Sequence, residues 1–226
     1  MSPRTGAPRL VRPLIVAFLA VAALHLAGHL AGIDAAQMVT KPLLMPLLAA
    51  YAAARRGPRL LIAALLFGWG GDVLLMPDAE AAFLAGMGSF AVGHICYLWL
   101  FGRARASLPA GLAYAAVLVT FLVLLWPGLP ADLRIPLTGY SLLLTAMAWR
   151  AGILGRYAAL GGALFLLSDA LIATGIADWP QLPVHDFWIM LTYLAAQYLL
   201  TTGVLGSRGD STGSDTGAYR EGSIRI

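Results

Sequence analysis

The sequence predicts an all-α fold: a polytopic membrane protein, a bundle of about eight transmembrane helices with both termini on the cytoplasmic side. Of its 226 residues, 60% are apolar and 12% are charged, and the mean hydropathy is +0.79. Soluble domains are about half apolar and about a quarter charged. Here the apolar residues form continuous blocks of the roughly 20 residues that a helix needs to cross the hydrocarbon core. Because the blocks are continuous and not alternating, they exclude the strands of a β-barrel.

Eight apolar spans follow one another with short loops between them, and they predict one membrane-embedded domain over residues 13–205. The spans cover residues 13–33, 38–54, 59–76, 80–101, 109–126, 133–149, 155–177 and 187–205. The second span is the weakest, because Pro42 and Pro46 interrupt it. Residues 1–12 are expected to form a cytoplasmic N-terminal segment. Residues 206–226 are rich in Gly, Ser and Thr, and we expect them to form a disordered cytoplasmic tail.

The positive charges support this count and set the orientation. With the N-terminus inside, 13 of the 15 basic residues are cytoplasmic and only Lys41 and Arg134 lie on the opposite side, as the positive-inside rule requires. The cytoplasmic residues are Arg4, Arg9, Arg12, Arg55, Arg56, Arg59, Arg103, Arg105, Arg150, Arg156, Arg208, Arg220 and Arg225. One span more or fewer would break this alternation. Because the arginines lie in short loops, the net charge of +4 reflects topology, and we expect no nucleic-acid partner.

The basic start and the first apolar stretch also have the form of a cleaved signal peptide. Without the first span, however, the other seven would lose their most basic leader, so we interpret it as a retained helix. The single cysteine, Cys96, lies within an apolar run. It excludes an internal disulfide and a thiolate metal cluster.

Two carboxylates lie inside predicted spans, where a charge costs at least a few kcal/mol, roughly, and such groups usually face the bundle interior. Asp72 follows Gly70 and Gly71 in the third span, and Asp169 follows Ser168 in the seventh. Both spans run from the inside to the outside, and each aspartate lies about two-thirds of the way across. We therefore expect the two to converge on one cavity. The alternative is structural, with each acid bonded to a neighbouring hydroxyl or amide.

The fourth span carries His94 and Tyr97 on one helical face. The same face holds Phe83, Met87, Phe90 and Phe101. A single histidine on an aromatic stripe is usually packed and hydrogen-bonded, so His94 alone favours a structural role. His25 and His29, four residues apart on the first span, could bind a metal ion geometrically. No HExxH motif and no third histidine supports such a site, and we predict no metal.

Lys41 opens the second span near the outer interface. Its amine could simply lie in the headgroup layer, or it could contact a phosphate group or pair with an aspartate. Tyr140, Tyr193 and Gln197 could line the same cavity as the two aspartates, although aromatic residues near membrane interfaces are common.

These residues together resemble the YhhN-like lysoplasmalogenases, over about residues 40–205. The resemblance is carried by Lys41-Pro42, Gly71-Asp72, the series Phe83–Gly86–Phe90–His94–Tyr97, and Gly162-Ala163-Leu164-Phe165 leading into Ser168-Asp169. Each piece is short, but their order across eight spans is fairly specific. The resemblance implies eight transmembrane helices, no cofactor, and hydrolysis of the vinyl-ether bond of lysoplasmalogens. The products would be a fatty aldehyde and glycerophosphoethanolamine or glycerophosphocholine.

Two aspartates suit this reaction. A vinyl ether hydrolyses once its β-carbon is protonated, which gives an oxocarbenium ion that water captures as a hemiacetal. As in glycoside hydrolysis, one carboxylic acid gives a proton, and one carboxylate stabilises the cation and activates water. A site of low dielectric constant, with a second carboxylate nearby, can keep one acid protonated while its partner is ionised. Under this hypothesis Asp72 and Asp169 are catalytic, His94 and Tyr97 orient one carboxylate, and Lys41 holds the phosphate.

The expected partners are a lysophospholipid, which enters sideways from the bilayer with its headgroup at the interface, and the surrounding membrane lipids. We expect a multi-pass protein of a bacterial inner (plasma) membrane. A rival hypothesis is a small-solute or lipid transporter in which the two aspartates couple to protons or a cation. The internal repeat that many transporters show is faint here. A purely structural scaffold is a third possibility, but it leaves both buried acids unexplained.

Overall fold

The structure is a computed structural model that describes the backbone of residues 8–221 and the side chains of residues 9–207. Within these residues it consists of eight α-helices, with short 3₁₀ turns at Trp126–Gly128 and Gly152–Leu154. The helices are α1 (Pro8–Ala31), α2 (Asp34–Ala54), α3 (Arg59–Leu74), α4 (Glu80–Phe101), α5 (Leu108–Leu125), α6 (Arg134–Ala151), α7 (Arg156–Ile176) and α8 (His185–Glu221). Each predicted span corresponds to one helix, which confirms the all-α class.

The helix boundaries depart from the predicted spans mainly at the two ends of the chain. α1 begins at Pro8 and α8 continues to Glu221, because backbone hydrogen bonding continues into flanking residues that hydropathy does not mark. The disorder predicted for residues 206–226 from their composition stays a prediction. Residues 1–7 of the predicted N-terminal segment and residues 222–226 of the tail lie outside the described part of the chain.

The bundle has the surface of a membrane protein. By length and composition, α1, α4, α5, α7 and α8 can each cross a bilayer. Of the other three helices, α3 has 16 residues, α2 contains two prolines, and α6 begins with Arg134 and has Arg150 in its last turn. Large apolar side chains are exposed along the outside, among them Val16, Trp99, Val123 and Ile135. Such a surface fits the hydrocarbon of a bilayer. Helices can lie in hydrocarbon because their backbone polar groups are hydrogen-bonded within the helix. The chain is a polytopic membrane bundle.

Successive connections between helices lie in turn at one end of the bundle and at the other. At one end, the α4–α5 connection meets the end of α6, where Arg150 donates to the carbonyls of Gly102 and Ala104 at 2.5 and 3.2 Å. We call this the arginine end, because arginines lie in or next to the connections that follow α2, α4 and α6. We call the other end the acidic end. In or next to its connections lie Asp34, Asp78, Glu80, Asp132, Asp178 and Asp186.

Glycines allow neighbouring helices to approach closely. A Cβ atom on Gly203 of α8 would lie 2.7 Å from the Cβ of Ala158 on α7. A Cβ atom on Gly71 of α3 would overlap the ring of Phe90 on α4. The second of these contacts packs α4 against the backbone beside Asp72.

We predict that the arginine end is cytoplasmic. Reporters fused after Arg56, Arg103, Arg150 and Arg208 should all give a cytoplasmic signal, because 13 of 15 basic residues lie on that side of the predicted topology and the charge bias sets orientation. Paired reporters, one active only in the cytoplasm and one only outside it, measure each site. An external signal at any one of the four sites contradicts this orientation.

Candidate active site

A cavity of about 310 Å³ lies inside the bundle, and side chains from α2 to α8 line it. One boundary of the cavity lies near the helix ends at the acidic end, where it is lined by Leu75, Phe83 and Ile176. The walls are mostly apolar, with a few polar groups. The polar residues are Lys41, Asp72, Tyr140, Ser141, Ser168, Asp169 and Tyr193. An apolar cavity with a small number of convergent polar groups is typical of a small-molecule site.

Asp72 lies on α3 and is 4% exposed. The hydroxyl of Tyr193 on α8 donates to its Oδ2 at 2.9 Å. Behind Tyr193, Gln197 Nε2 donates to the tyrosine hydroxyl at 3.5 Å, and Gln197 Oε1 accepts from the hydroxyl of Tyr97 at 2.7 Å. A buried chain of hydrogen bonds thus runs from α4 through α8 to the carboxyl group on α3.

Asp169 lies on α7 and is partly exposed, whereas Asp72 is buried. The hydroxyl of Tyr140 on α6 donates to Asp169 Oδ2, and Nε2 of His94 lies 3.1 Å from the same hydroxyl. A tyrosine hydroxyl has one proton, and here it points to Asp169. When Asp169 is ionised, His94 therefore donates from Nε2, and its buried Nδ1 has no hydrogen-bond partner among the described residues.

The two aspartates share one arrangement, since each carboxyl group accepts a hydrogen bond from a buried or half-buried tyrosine. The residues that contact the two tyrosines differ. His94 contacts Tyr140, the tyrosine at Asp169, whereas Gln197, which itself binds Tyr97, contacts the tyrosine at Asp72. A hydrogen bond to an ionised carboxylate is about twice as strong as one between neutral groups. Both carboxyl groups are thus held in a defined orientation, and both line the same mostly apolar cavity.

The predicted site residues divide into two groups in the structure. Lys41, Asp72, Tyr140, Ser168 and Asp169 all line the cavity. His94 and Tyr97, both on α4, do not line the cavity. His94 contacts Tyr140, and Tyr97 contacts Gln197, which in turn contacts Tyr193. The two were expected to orient one carboxylate, but in the structure their contacts lead to different carboxyl groups, those of Asp169 and Asp72, through tyrosine hydroxyls.

Ser168 has a structural contact. Its hydroxyl donates to the carbonyl of Ile189 at 3.1 Å, which joins α7 to α8 next to Asp169. Because the hydroxyl proton is used in this way, Ser168 supports the position of α7.

His25 and His29 belong to the packing of α1 against α2. Thr40 donates its hydroxyl proton to the carbonyl of Ala36 at 2.6 Å, so His25 Nδ1, 2.7 Å from that hydroxyl, is the donor to it. His25 Nε2 then has a free lone pair toward His29 Nε2, 3.3 Å away. Among the side chains of residues 9–207, no three from His, Cys, Asp or Glu are grouped so that they could hold a metal ion.

Sequence reasoning missed the contribution of α5. Val117, Leu118 and Phe121 form part of the cavity wall, but their segment is uniformly apolar and carries no polar signal. Sequence reasoning also missed Ser141, one residue after Tyr140. A helical projection of α6 could have found Ser141, because Leu137, Tyr140, Ser141 and Leu144 follow helical spacing on one face.

Comparison with known proteins gives one family and a set of relatives. A family model described as the YhhN family matches residues 36–204. The "Lysoplasmalogenase TMEM86B" of Rattus norvegicus is 37% identical over 145 residues, 63% of this chain and 60% of its own. The human protein of that name is 40% identical over 129 residues, 56% of each chain. The "Lysoplasmalogenase" of Mycobacterium bovis is 36% identical over 211 residues, 84% of this chain and 79% of its own.

The match thus spans less than two thirds of the mammalian relatives' length, 60% of the rat protein and 56% of the human one. It spans more of the mycobacterial relative. No solved structure gives a significant match to the chain.

Proposed function

The chain belongs to the YhhN family, and on that premise we propose that it is a membrane hydrolase that cleaves the vinyl-ether bond of lysoplasmalogens. The substrates are alkenyl-glycerophosphoethanolamine and alkenyl-glycerophosphocholine. The products are a fatty aldehyde and the corresponding glycerophospho-alcohol. The observation that carries the proposal is the presence of two intramembrane carboxyl groups, Asp72 and Asp169, on one mostly apolar cavity. The names of the rat, human and mycobacterial relatives support the choice of reaction.

The reaction needs one proton donor and one proton acceptor. One aspartic acid gives its proton to the β-carbon of the vinyl ether, and the C=C electron pair forms the new C–H bond. The adjacent carbon becomes part of an oxocarbenium ion, which the second, ionised aspartate stabilises. Water adds to that carbon and loses a proton to this second aspartate. The hemiacetal hydroxyl then gives its proton to the first aspartate as the bond to the glycerol oxygen breaks. The glycerol oxygen takes the proton held by the second aspartate, the aldehyde leaves, and both carboxyl groups regain their starting protonation states.

The surroundings of the carboxyl groups suit this sequence. Two carboxyl groups on one cavity of low polarity favour a state in which one is protonated and the other is ionised. Tyr140 and Tyr193 hold the carboxyl groups in place through their hydroxyl donors, so little reorganisation is needed when charge develops. Lys41, the one basic residue that lines the cavity in the described part of the chain, is the group we assign to the lipid phosphate.

We place the protein in the inner (plasma) membrane of a bacterium, where lysophospholipid and bulk lipids are its partners, and we propose that the reaction needs no cofactor. The mycobacterial relatives support the bacterial assignment. Substrate comes directly from the bilayer, since the outside of the bundle is apolar.

Aldehyde release by the purified protein tests the function. The protein in detergent should convert an alkenyl lysophospholipid to aldehyde and glycerophospho-alcohol in equal amounts. It should leave the saturated alkyl-ether analogue intact, because that analogue has no double bond to protonate. A transporter would release no aldehyde from either lipid, and that outcome would overturn the proposal.

A further inference from the structure

Helix α5 is attached to the bundle differently from the other helices that line the cavity. Of its residues, only Leu118 and Leu125 are buried. It packs mainly along α6, and large apolar side chains elsewhere on it are exposed. Such a helix forms an outer wall of the cavity and has little interior contact of its own.

Contacts at both ends hold α5 in place. At the arginine end, the indole N–H of Trp149 on α6 donates to the carbonyl of Ser107 at 2.8 Å, and Gly111 packs against the same indole. At the acidic end, Leu125 is part of a small buried cluster with Leu137 and Ala173. Between these two anchors, α5 has the side chains that line the cavity.

Two residues, one on α5 and one on α7, both line the cavity and are exposed. Val117 on α5 is 59% exposed, and Leu167 on α7 is 47% exposed. A side chain that borders an internal cavity and keeps half of its surface accessible lies at the edge of an opening. Asp169 lines the same cavity and is itself partly exposed, so a molecule that enters the cavity can reach this aspartate.

We infer that the cavity opens sideways to the lipid between α5 and α7, and that this opening admits the hydrocarbon chain of a single-chain lipid. The identity of the cleaved bond and of the headgroup rests on the proposed function, but the path of the lipid's hydrocarbon chain rests on the geometry alone. The wall beside the opening is formed by Val117, Leu118, Phe121, Leu166 and Leu167, which offers hydrocarbon contacts and no polar group.

The occupant follows from the surroundings and from the size of the cavity. The outside of α5 and α7 is apolar, so what meets the opening in the membrane is lipid chain and not water. A volume of about 310 Å³ is at the small end of the range of ligand sites, which suits one chain better than two. Since the cavity lies toward the acidic end, the chain comes from the leaflet at that end, with its headgroup near Lys41.

Photocrosslinking tests the opening without any turnover. The probe is a lysophosphatidylethanolamine with a saturated, ester-linked chain that bears a diazirine, mixed into nanodiscs that contain the full chain. After irradiation, mass spectrometry locates the adducts. The wild-type protein should carry adducts on α5 and α7 at residues that line the cavity. An excess of unlabelled single-chain lipid should suppress them, and a two-chain lipid at the same concentration should not.

Variants with matched controls locate the path. Val117→Trp and Leu167→Trp should each lower the adduct yield by about tenfold, or about 1.4 kcal/mol in apparent binding free energy, because the indole fills the opening. Val119→Trp and Leu160→Trp should leave the yield unchanged. Those residues lie on the same two helices, are 60% and 52% exposed, and do not line the cavity.

A double variant keeps the test open if a tryptophan variant does not fold, as a thermal melt would report. Val117→Ala with Leu167→Ala widens the opening and should raise the initial rate of labelling. Equal labelling in all variants, or adducts mainly on helices that do not flank the opening, would overturn the inference. Adducts at the opening in a protein that releases no aldehyde would support the opening and contradict the proposed reaction.

Discussion

Asp72→Asn and Asp169→Asn are each expected to abolish vinyl-ether cleavage while the protein stays folded in the membrane. Asparagine keeps the size and the hydrogen-bonding capacity of aspartate, so Tyr193 and Tyr140 can still donate to the side-chain oxygen that replaces Oδ2. An amide can neither supply an acidic proton nor carry the negative charge that stabilises the oxocarbenium ion. General acid–base catalysis typically contributes about 10²–10⁴-fold in rate, and each variant should lose at least that much.

Aldehyde release in detergent measures the rates, and a thermal melt of each variant reports folding. An Asn variant that kept near-native activity would show that its aspartate has a structural role, and the two-carboxylate mechanism would be wrong. If both variants lost activity because they unfolded, the aspartates would hold helices together and the structural alternative would be correct. His94→Gln should cost less than either, because His94 contacts Tyr140 and not the reacting atoms.

Tyr140→Phe and Tyr193→Phe are expected to lower kcat by about ten- to a hundredfold, since a hydrogen bond to a charged group contributes about 1.5–3 kcal/mol. Each change removes one hydroxyl and leaves a carboxyl group without the donor that orients it. Tyr97→Phe should have a smaller effect, because Tyr97 reaches Asp72 only through Gln197 and Tyr193.

Tyr198→Phe is the matched control. Tyr198 is on α8 like Tyr193, but its ring stacks on Phe18 of α1 and it does not line the cavity. Its loss should leave kcat unchanged. If Tyr97→Phe and Tyr198→Phe reduced kcat as much as Tyr193→Phe, the effect would come from general loosening of α8 and not from the position of the carboxyl group.

The sequence predicted the fold well because the membrane imposes a simple pattern. Eight apolar blocks and the alternation of arginine-rich connections were sufficient to place eight helices, and the predicted bounds of α4, residues 80–101, match the structure. The ends of α1 and α8 could not be predicted, because a helix continues through polar residues as long as its backbone hydrogen bonds form.

The two aspartates were predictable because a carboxyl group inside an apolar span is costly and seldom incidental. The connections around them were not, since they join residues far apart in the chain: Tyr193 reaches Asp72 across 121 positions, and Tyr97 reaches Gln197 across 100. Sequence spacing carries no information on such pairs. It placed His94 and Tyr97 on the correct helical face but could not show that tyrosines separate them from the carboxyl groups.

The part of the cavity wall formed by α5 could not be predicted from the sequence, for a different reason. Its residues are apolar whether they face lipid, a neighbouring helix or a cavity, and the hydropathy of the segment is the same in all three cases. Only the packing of α5 along α6 and the exposure of Val117 distinguish these environments.

Cleavage of an alkenyl lysophospholipid in D₂O tests the proposed reaction most directly. The first step adds a proton to the β-carbon of the vinyl ether, and an aspartic acid in D₂O carries deuterium. Mass spectrometry of the aldehyde, trapped as it forms, should therefore show one deuterium on the carbon next to the carbonyl group. The Asp72→Asn and Asp169→Asn variants should give no such product. An aldehyde without deuterium at that carbon, or no aldehyde from the folded wild-type protein, would contradict protonation of the vinyl ether by the two aspartates.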